Sequence, residues 1–140
     1  MTVQQAIDRA NQFKAGNTAP DSLKIEWLTE VDQLIYNDVI LTHMHDIRGR
    51  WWEMVDGRER FKPAPVYTED NTDEELIAHS PYDVLYTYWL MAKIDMYNNE
   101  QEDFNNDYMQ YETALQRYKN NYHRNHRSVP TPRVRAGVYR

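Results

Sequence analysis

Five histidines and no cysteine leave this chain little metal-ligating material, and its one dense run is His43-Met44-His45-Asp46. Imidazole and carboxylate ligands of that kind can hold a catalytic ion that activates water. The spacing argues against it. On a helix, residues i and i+2 do not share a face, whereas helical zinc motifs place their histidines at i and i+4. A histidine near a helix C-terminus also has an ordinary role, because its positive form complements the dipole. His123 and His126 lie three apart, but Arg124 and Arg127 beside them repel a cation, so they read as part of a solvated basic segment. A metal-dependent hydrolase using His43, His45 and Asp46 is the weakest functional reading, and no metal or cofactor is expected.

Carboxylates are abundant, yet acid–base work needs a pair whose surroundings push their pKa values apart. Asp73-Glu74-Glu75 and Glu100/Glu102/Asp103 have polar neighbours and read as solvated loop or first-turn acids. There is no Gly-rich phosphate loop, no serine elbow and no triad order. An enzyme is not expected.

The remaining chemistry is recognition. Trp51-Trp52 is flanked by Arg48, Arg50, Arg58 and Arg60. Trp, Tyr and Arg dominate interface hot spots, which makes Trp51, Trp52, Arg58 and Arg60 candidate subunit contacts. The bland alternative weighs as much: one Trp closes over the core and the other lies on the surface. A base-stacking platform would use the same residues, but Glu53, Asp56 and Glu59 interrupt the basic surface.

The elements that must position these residues are mostly helical. Val3, Ala6, Ile7, Ala10 and Phe13 form one helical face behind Thr2 as N-cap, and Gly16-Asn17 ends it. Pro20-Asp21 starts a second helix running to about His43. Its stripe is Trp27, Leu28, Val31, Leu34, Ile35 and Val39, with Glu26, Glu30, Asp32 and Asp38 toward water. Residues 44–79 lose this period. Residues 51–55, Asp56-Gly57 and Arg58–Phe61 predict a β-hairpin about a type I′ turn. Pro63 and Pro65 keep the next stretch extended, and 68–75 is an acidic loop.

Ser80-Pro81-Tyr82-Asp83 predicts a helix start with Ser80 at N-cap, Pro81 at N1 and Asp83 at N3. The run 84–92 is apolar nearly all round, which places this helix at the centre. Leu85, Trp89 and Ala92 are expected to pack on Trp27, Val31 and Ile35 and on Tyr108, Leu115 and Tyr118. After Asn98-Asn99 comes the clearest stripe, Phe104, Tyr108, Tyr111, Leu115, Tyr118 and Tyr122, spaced 4, 3, 4, 3, 4. Its phenols need partners when buried, so some of them are expected to face a neighbouring chain. Beyond Arg127, two prolines and a glycine predict an extended tail. The fold class is therefore all-α: a four-helix bundle over 1–127 with an irregular or hairpin insertion at about 44–79, followed by an extended basic tail, 128–140.

At 140 residues and 16.9 kDa the chain suits one domain. Leu, Ile, Val and Phe number only 27, which touches the compositional flag for disorder. Eleven Tyr and four Trp answer it, since disordered chains are poor in aromatics. No apolar run approaches the length of a membrane span, and the first residues lack the apolar stretch of a signal peptide. The net charge of −6 is unevenly spread: residues 117–140 hold seven basic residues and no acid, leaving −13 on 1–116. A basic tail on an acidic body suits docking on an acidic partner. A dedicated nucleic-acid binder would instead show a basic face on its folded part.

Taken in order, TVQQAIDRANQF, KIEWLTEVDQLIYNDVILTH, SPYDVLYTYWLMAKIDMYNNE, FNNDYMQYETALQRYKNNYHR and the Pro/Arg tail resemble the small head–tail connector (adaptor) proteins of tailed bacteriophages and prophages. The resemblance covers 2–43 and 80–127 and rests on sequence style and element order; 44–79 does not map onto it. It implies a non-enzymatic virion protein, made in the host cytoplasm and placed at the head–tail interface. Such a subunit forms a ring, twelvefold in the family's habit, that docks on the portal and meets a tail or stopper protein. DNA would slide through the acidic channel without specific binding, and no membrane is involved. The family's C-terminal tail reaches the portal, which makes Arg124, Arg127, Arg133, Arg135, Tyr139 and Arg140 the candidate docking residues. The alternative is a small nucleic-acid-binding packaging or regulatory protein using the same basic tail.

Overall fold

Helix α1, Val3–Phe13, begins where Thr2 caps it: Gln5 N–H donates to Thr2 Oγ1 at 3.1 Å, and the Gln5 side chain accepts from Thr2 N–H. The computed structural model describes residues 1–43 and 50–126. Two further amides of the first turn, Val3 and Gln4, donate to the carbonyls of Glu74 and Thr72. The loop that follows the hairpin therefore satisfies a helix terminus that would otherwise leave orphan donors. Val3, Ala6, Ile7 and Ala10 are buried as their spacing predicts, but Phe13, at the end of the stripe, is 63% exposed.

Helix α2, Asp21–Ile35, follows Pro20 and runs on through a wider turn, Tyr36–Ile40, in which Leu41 N–H reaches back five residues to Tyr36 O. Trp27, Leu28, Val31, Ile35 and Val39 are buried; Leu34, expected in the stripe, is 43% exposed. Asp32, expected on the water side, has no solvent exposure at all. Lys24 is also buried, its ammonium held by Asn11 Oδ1 at 2.7 Å.

Strands β1, Trp52–Val55, and β2, Arg58–Phe61, pair antiparallel with Trp52 opposite Phe61 and Val55 opposite Arg58. Asp56 and Gly57 both take positive φ, 53° and 77°, which is the type I′ requirement read from the Asp-Gly dipeptide. The chain then runs extended beside α2. Tyr36 Oη donates to Lys62 O, Gln33 Nε2 to Pro65 O, and Tyr67 N–H to Thr29 Oγ1.

The expected cap at Ser80 is not formed. The Ser80–Pro81 bond is cis, and Tyr82 N–H closes a turn onto His79 O at 2.8 Å. Those residues are used in the turn, so helix α3 starts later, Val84–Tyr97, with Asp83 as an N-cap whose side chain makes no capping bond. Helix α4, Gln101–Asn125, returns after Asn98, Asn99 and Glu100, Asn99 taking positive φ. As its all-round apolarity predicts, α3 is central, contacting α1, α2 and α4. Its most deeply buried large side chain is Tyr86. Trp89, expected at the heart of the core, is only half-buried; its indole N–H donates to Trp27 O at 2.7 Å. On α4, Tyr111, Ala114, Leu115 and Tyr118 are buried, while Phe104, Tyr108 and Tyr122 are half-buried. The described chain is thus mostly helical, four α-helices with one two-stranded antiparallel sheet. No described helix is long and apolar enough to cross a membrane.

Candidate functional site

The hairpin and the last turns of α4 meet at an aromatic cavity of about 240 Å³, walled by Trp51, Trp52, Phe61, Tyr118, Tyr122 and His126. Each wall has a local cause. Trp51 sits edge-on to Tyr36 (centroids 5.5 Å apart) with the Arg50 guanidinium 4.8 Å over its ring. Trp52 leans on its cross-strand partner Phe61 at 4.4 Å. Tyr122 stacks on His126 at 3.8 Å, one helical turn away. Arg50 also donates to the carbonyls of Glu75 and Leu76, which fixes the start of the hairpin against the following loop.

Both tryptophans proposed as subunit contacts are half-buried in this wall, while Arg58 and Arg60 are exposed on the hairpin, Arg60 paired with Glu53 at 2.6 Å. Arg124 is exposed on α4. The structure therefore places Arg124 and the Trp pair at one end of the molecule. Arg127, Arg133, Arg135, Tyr139 and Arg140 lie outside the described residues, as do Arg48, Met44, His45 and Asp46. His43 is buried instead: its Nδ1–H donates to Val39 O at 2.6 Å, and its Nε2 lies 3.4 Å from His123 Nδ1. It bridges the end of the second helix to α4, an ordinary structural task. His123 and His126 divide, the first exposed and the second stacked.

Two buried carboxylates are not apparent from the sequence. Asp32 accepts three hydrogen bonds: from Tyr86 Oη at 2.6 Å on Oδ1, and from Tyr67 Oη at 2.5 Å and Ile77 N–H at 3.1 Å on Oδ2. Tyr86 Oη accepts in turn from Ala78 N–H at 2.7 Å. Burial pushes the Asp32 carboxyl up to about 6; the hydroxyl and amide donors and the Arg50 charge pull the other way without prevailing. Burial and the facing carboxylate hold both phenols well above their ordinary range. The node joins α2, α3 and the loop before α3, and Asp32 does not line the aromatic cavity. Its geometry suits cross-linking of segments rather than proton transfer to a ligand.

Asp95, in the last turn of α3, is equally enclosed. Its Oδ1 pairs with Lys14 Nζ at 2.8 Å, and the same ammonium reaches Asp107 at 3.2 Å. Burial, with the Asp107 carboxylate close by, carries Asp95 up to about 7 against the pull of Lys14. Lys14 is desolvated, which alone would lower its pKa; its two carboxylate partners outweigh that and raise it. Glu100 and Asp103 bring their oxygens within 4.8 Å of Asp95 and of each other, so the acids read as merely solvated stand beside one that is not. Comparison with protein-family models, with curated proteins and with solved structures finds no match.

Proposed function

We propose that this chain is a structural subunit of a tailed-phage neck, a head–tail connector that assembles as a ring on the portal. In this reading its architecture is a four-helix bundle with a hairpin inserted between the second and third helices. The observation that carries it is the polarity of α4 together with the element order of the resemblance. Five acids and no base occupy 100–112, and Arg117, Lys119 and Arg124 follow with no acid up to the basic C-terminal segment. An acidic body suits a wall past which DNA must slide, because phosphate contacts made by Lys and Arg are what hold DNA. A basic end offers Arg to a partner surface, where it makes strong contacts. The ring carries no catalytic duty, and its buried carboxylates hold the fold.

The test is co-sedimentation of the purified chain with portal rings encoded in the same genome, with and without residues 128–140. The full chain should bind the rings, and the shortened chain should lose binding while keeping its circular dichroism. A shortened chain that binds portal normally but no longer shifts DNA in a gel would overturn this reading in favour of nucleic-acid binding.

A further inference from the structure

The N-terminal end of α4 carries features that the portal contact does not use. At 25 residues the helix is about 37 Å long. At its N-terminal end, Trp89, Ala92, Lys93, Met96, Phe104 and Tyr108 line a groove of about 260 Å³ between α3 and α4. Met96, on the groove, and the adjoining Tyr97 are 53% and 47% exposed. Around it stand Glu100, Glu102 and Asp103, all exposed and, among the described residues, without a paired cation. Lys93, the one base lining the groove among the described residues, is engaged by Glu30 at 3.4 Å and lies over the Trp89 ring.

The opposite end carries the complementary set. Arg117 and Arg124 are exposed and Lys119 half-buried, and no described acid pairs with any of the three. The hairpin that shares this end through the aromatic cavity presents Met54, 63% exposed. A lone two-stranded hairpin is marginal in water and gains from a covering surface.

We propose that the acidic elbow groove of one copy receives the basic end of a second copy, with Met54 of the hairpin against the apolar groove and Arg117 and Arg124 facing Glu102 and Asp103. The occupant is this chain itself because charge and apolar character match between the two ends, and both ends belong to every copy. The contact is heterologous, joining unlike patches, so repetition closes a ring or runs on as a filament. It deepens the connector reading and rests on it only for the closure into a ring.

Sedimentation velocity on the full chain at rising concentration, in low and high salt, tests it. Association should appear at low salt and weaken at least tenfold in high salt, as exposed charges are screened. Glu102→Lys/Asp103→Lys should stay monomeric, and so should Arg117→Glu/Arg124→Glu, both folded by circular dichroism. Mixing these two variants, or combining all four changes in one chain, should restore association. A parent chain that stays monomeric up to about 1 mM, the weak limit of specific binding, overturns the proposal. So does a reversal that leaves association unchanged, or a mixture that fails to restore it. Portal binding by the monomeric Glu102→Lys/Asp103→Lys variant keeps the two ideas apart. If the parent chain binds no portal, the connector reading fails while the elbow contact is judged on sedimentation alone.

Discussion

Among the described residues two aspartates lose all contact with solvent on folding, Asp32 on α2 and Asp95 on α3, and the protein accommodates them by different means. Asp32 is met by neutral donors, two phenols and one amide, which fix three distant stretches of chain onto one carboxylate. Asp95 is met by a cation, Lys14, drawn from the loop after α1 and shared with Asp107. The first arrangement specifies geometry, because each donor fits one direction. The second balances charge, and an ammonium on a flexible stem tolerates movement. The difference teaches that the insertion following the hairpin is anchored from within, through Tyr67 and Ile77. The elbow between α3 and α4 is held by an ion pair close to its acidic surface.

The sharpest way to break this contrast is Asp32→Ala. It strands two buried hydroxyls and the Ile77 amide, and each unsatisfied group costs about 1–3 kcal/mol. A total loss of roughly 3–5 kcal/mol is expected, as for other broken buried networks, enough to unfold a domain of ordinary stability. Urea unfolding followed by tryptophan fluorescence measures it. A loss below about 1 kcal/mol would mean that Asp32 does not organise the insertion.

Lys14→Met addresses the other node and should cost about 2 kcal/mol at pH 8, less than a fully enclosed pair because the ammonium is partly exposed. At pH 5 Asp95 is already protonated, since its pKa lies near 7, so the same substitution should cost much less. Equal losses at both pH values would show that Lys14 acts by packing rather than by charge.

What can be read in advance follows the range of the interaction. The Thr2 cap, the Asp56-Gly57 turn, the central apolar helix and the tyrosine stripe depend on neighbours within a turn or two, and each is where its spacing puts it. Residue type alone misplaces Asp32 on the water side. It lies four residues after Leu28 and three before Ile35, on their buried face, and that spacing is the available signal. Its partners lie 35 and 54 residues away, and no local pattern announces them. Ser80 shows the reverse error: a good capping pattern is outweighed by a turn closed on His79. Size alone places Trp89 in the core, but it is half-buried, and its indole N–H, which needs a partner, finds one in Trp27 O on α2.

The unmodified protein tests both aspartates together. Their folded pKa values, about 6 and about 7, exceed the ordinary 3.8. Between about pH 4 and pH 7 the folded chain therefore holds protons that the unfolded chain has released, so these two groups contribute most stability at the acid side of that window and lose it as pH rises. The urea midpoint should be higher at pH 5 than at pH 7.5, by the equivalent of about 1–2 kcal/mol, since each tenfold gain in proton affinity is worth roughly 1.4 kcal/mol and other groups compensate in part. Asp32→Asn should flatten the Asp32 share of that slope. A midpoint that instead rises with pH would show both carboxylates ionised in the fold.

The smallest effect is expected where neither node reaches. Trp52 and Phe61 form a cross-strand pair on a hairpin whose strands pack chiefly on each other. Such pairs contribute about 0.2–1 kcal/mol, so Trp52→Ala should lower global stability by less than about 1 kcal/mol. Its consequence should be local. The Lys62 amide, which extends the ladder to Trp51 O, should exchange its hydrogen faster, while amides near Asp32 such as Ile77 keep their protection. That outcome would make the hairpin an arm carried by the helices, free to be covered by a second copy without cost to the core. If Trp52→Ala instead loosens Ile77 as much as Lys62, the aromatic cavity and the Asp32 node form one cooperative unit, and the hairpin is part of the structural core.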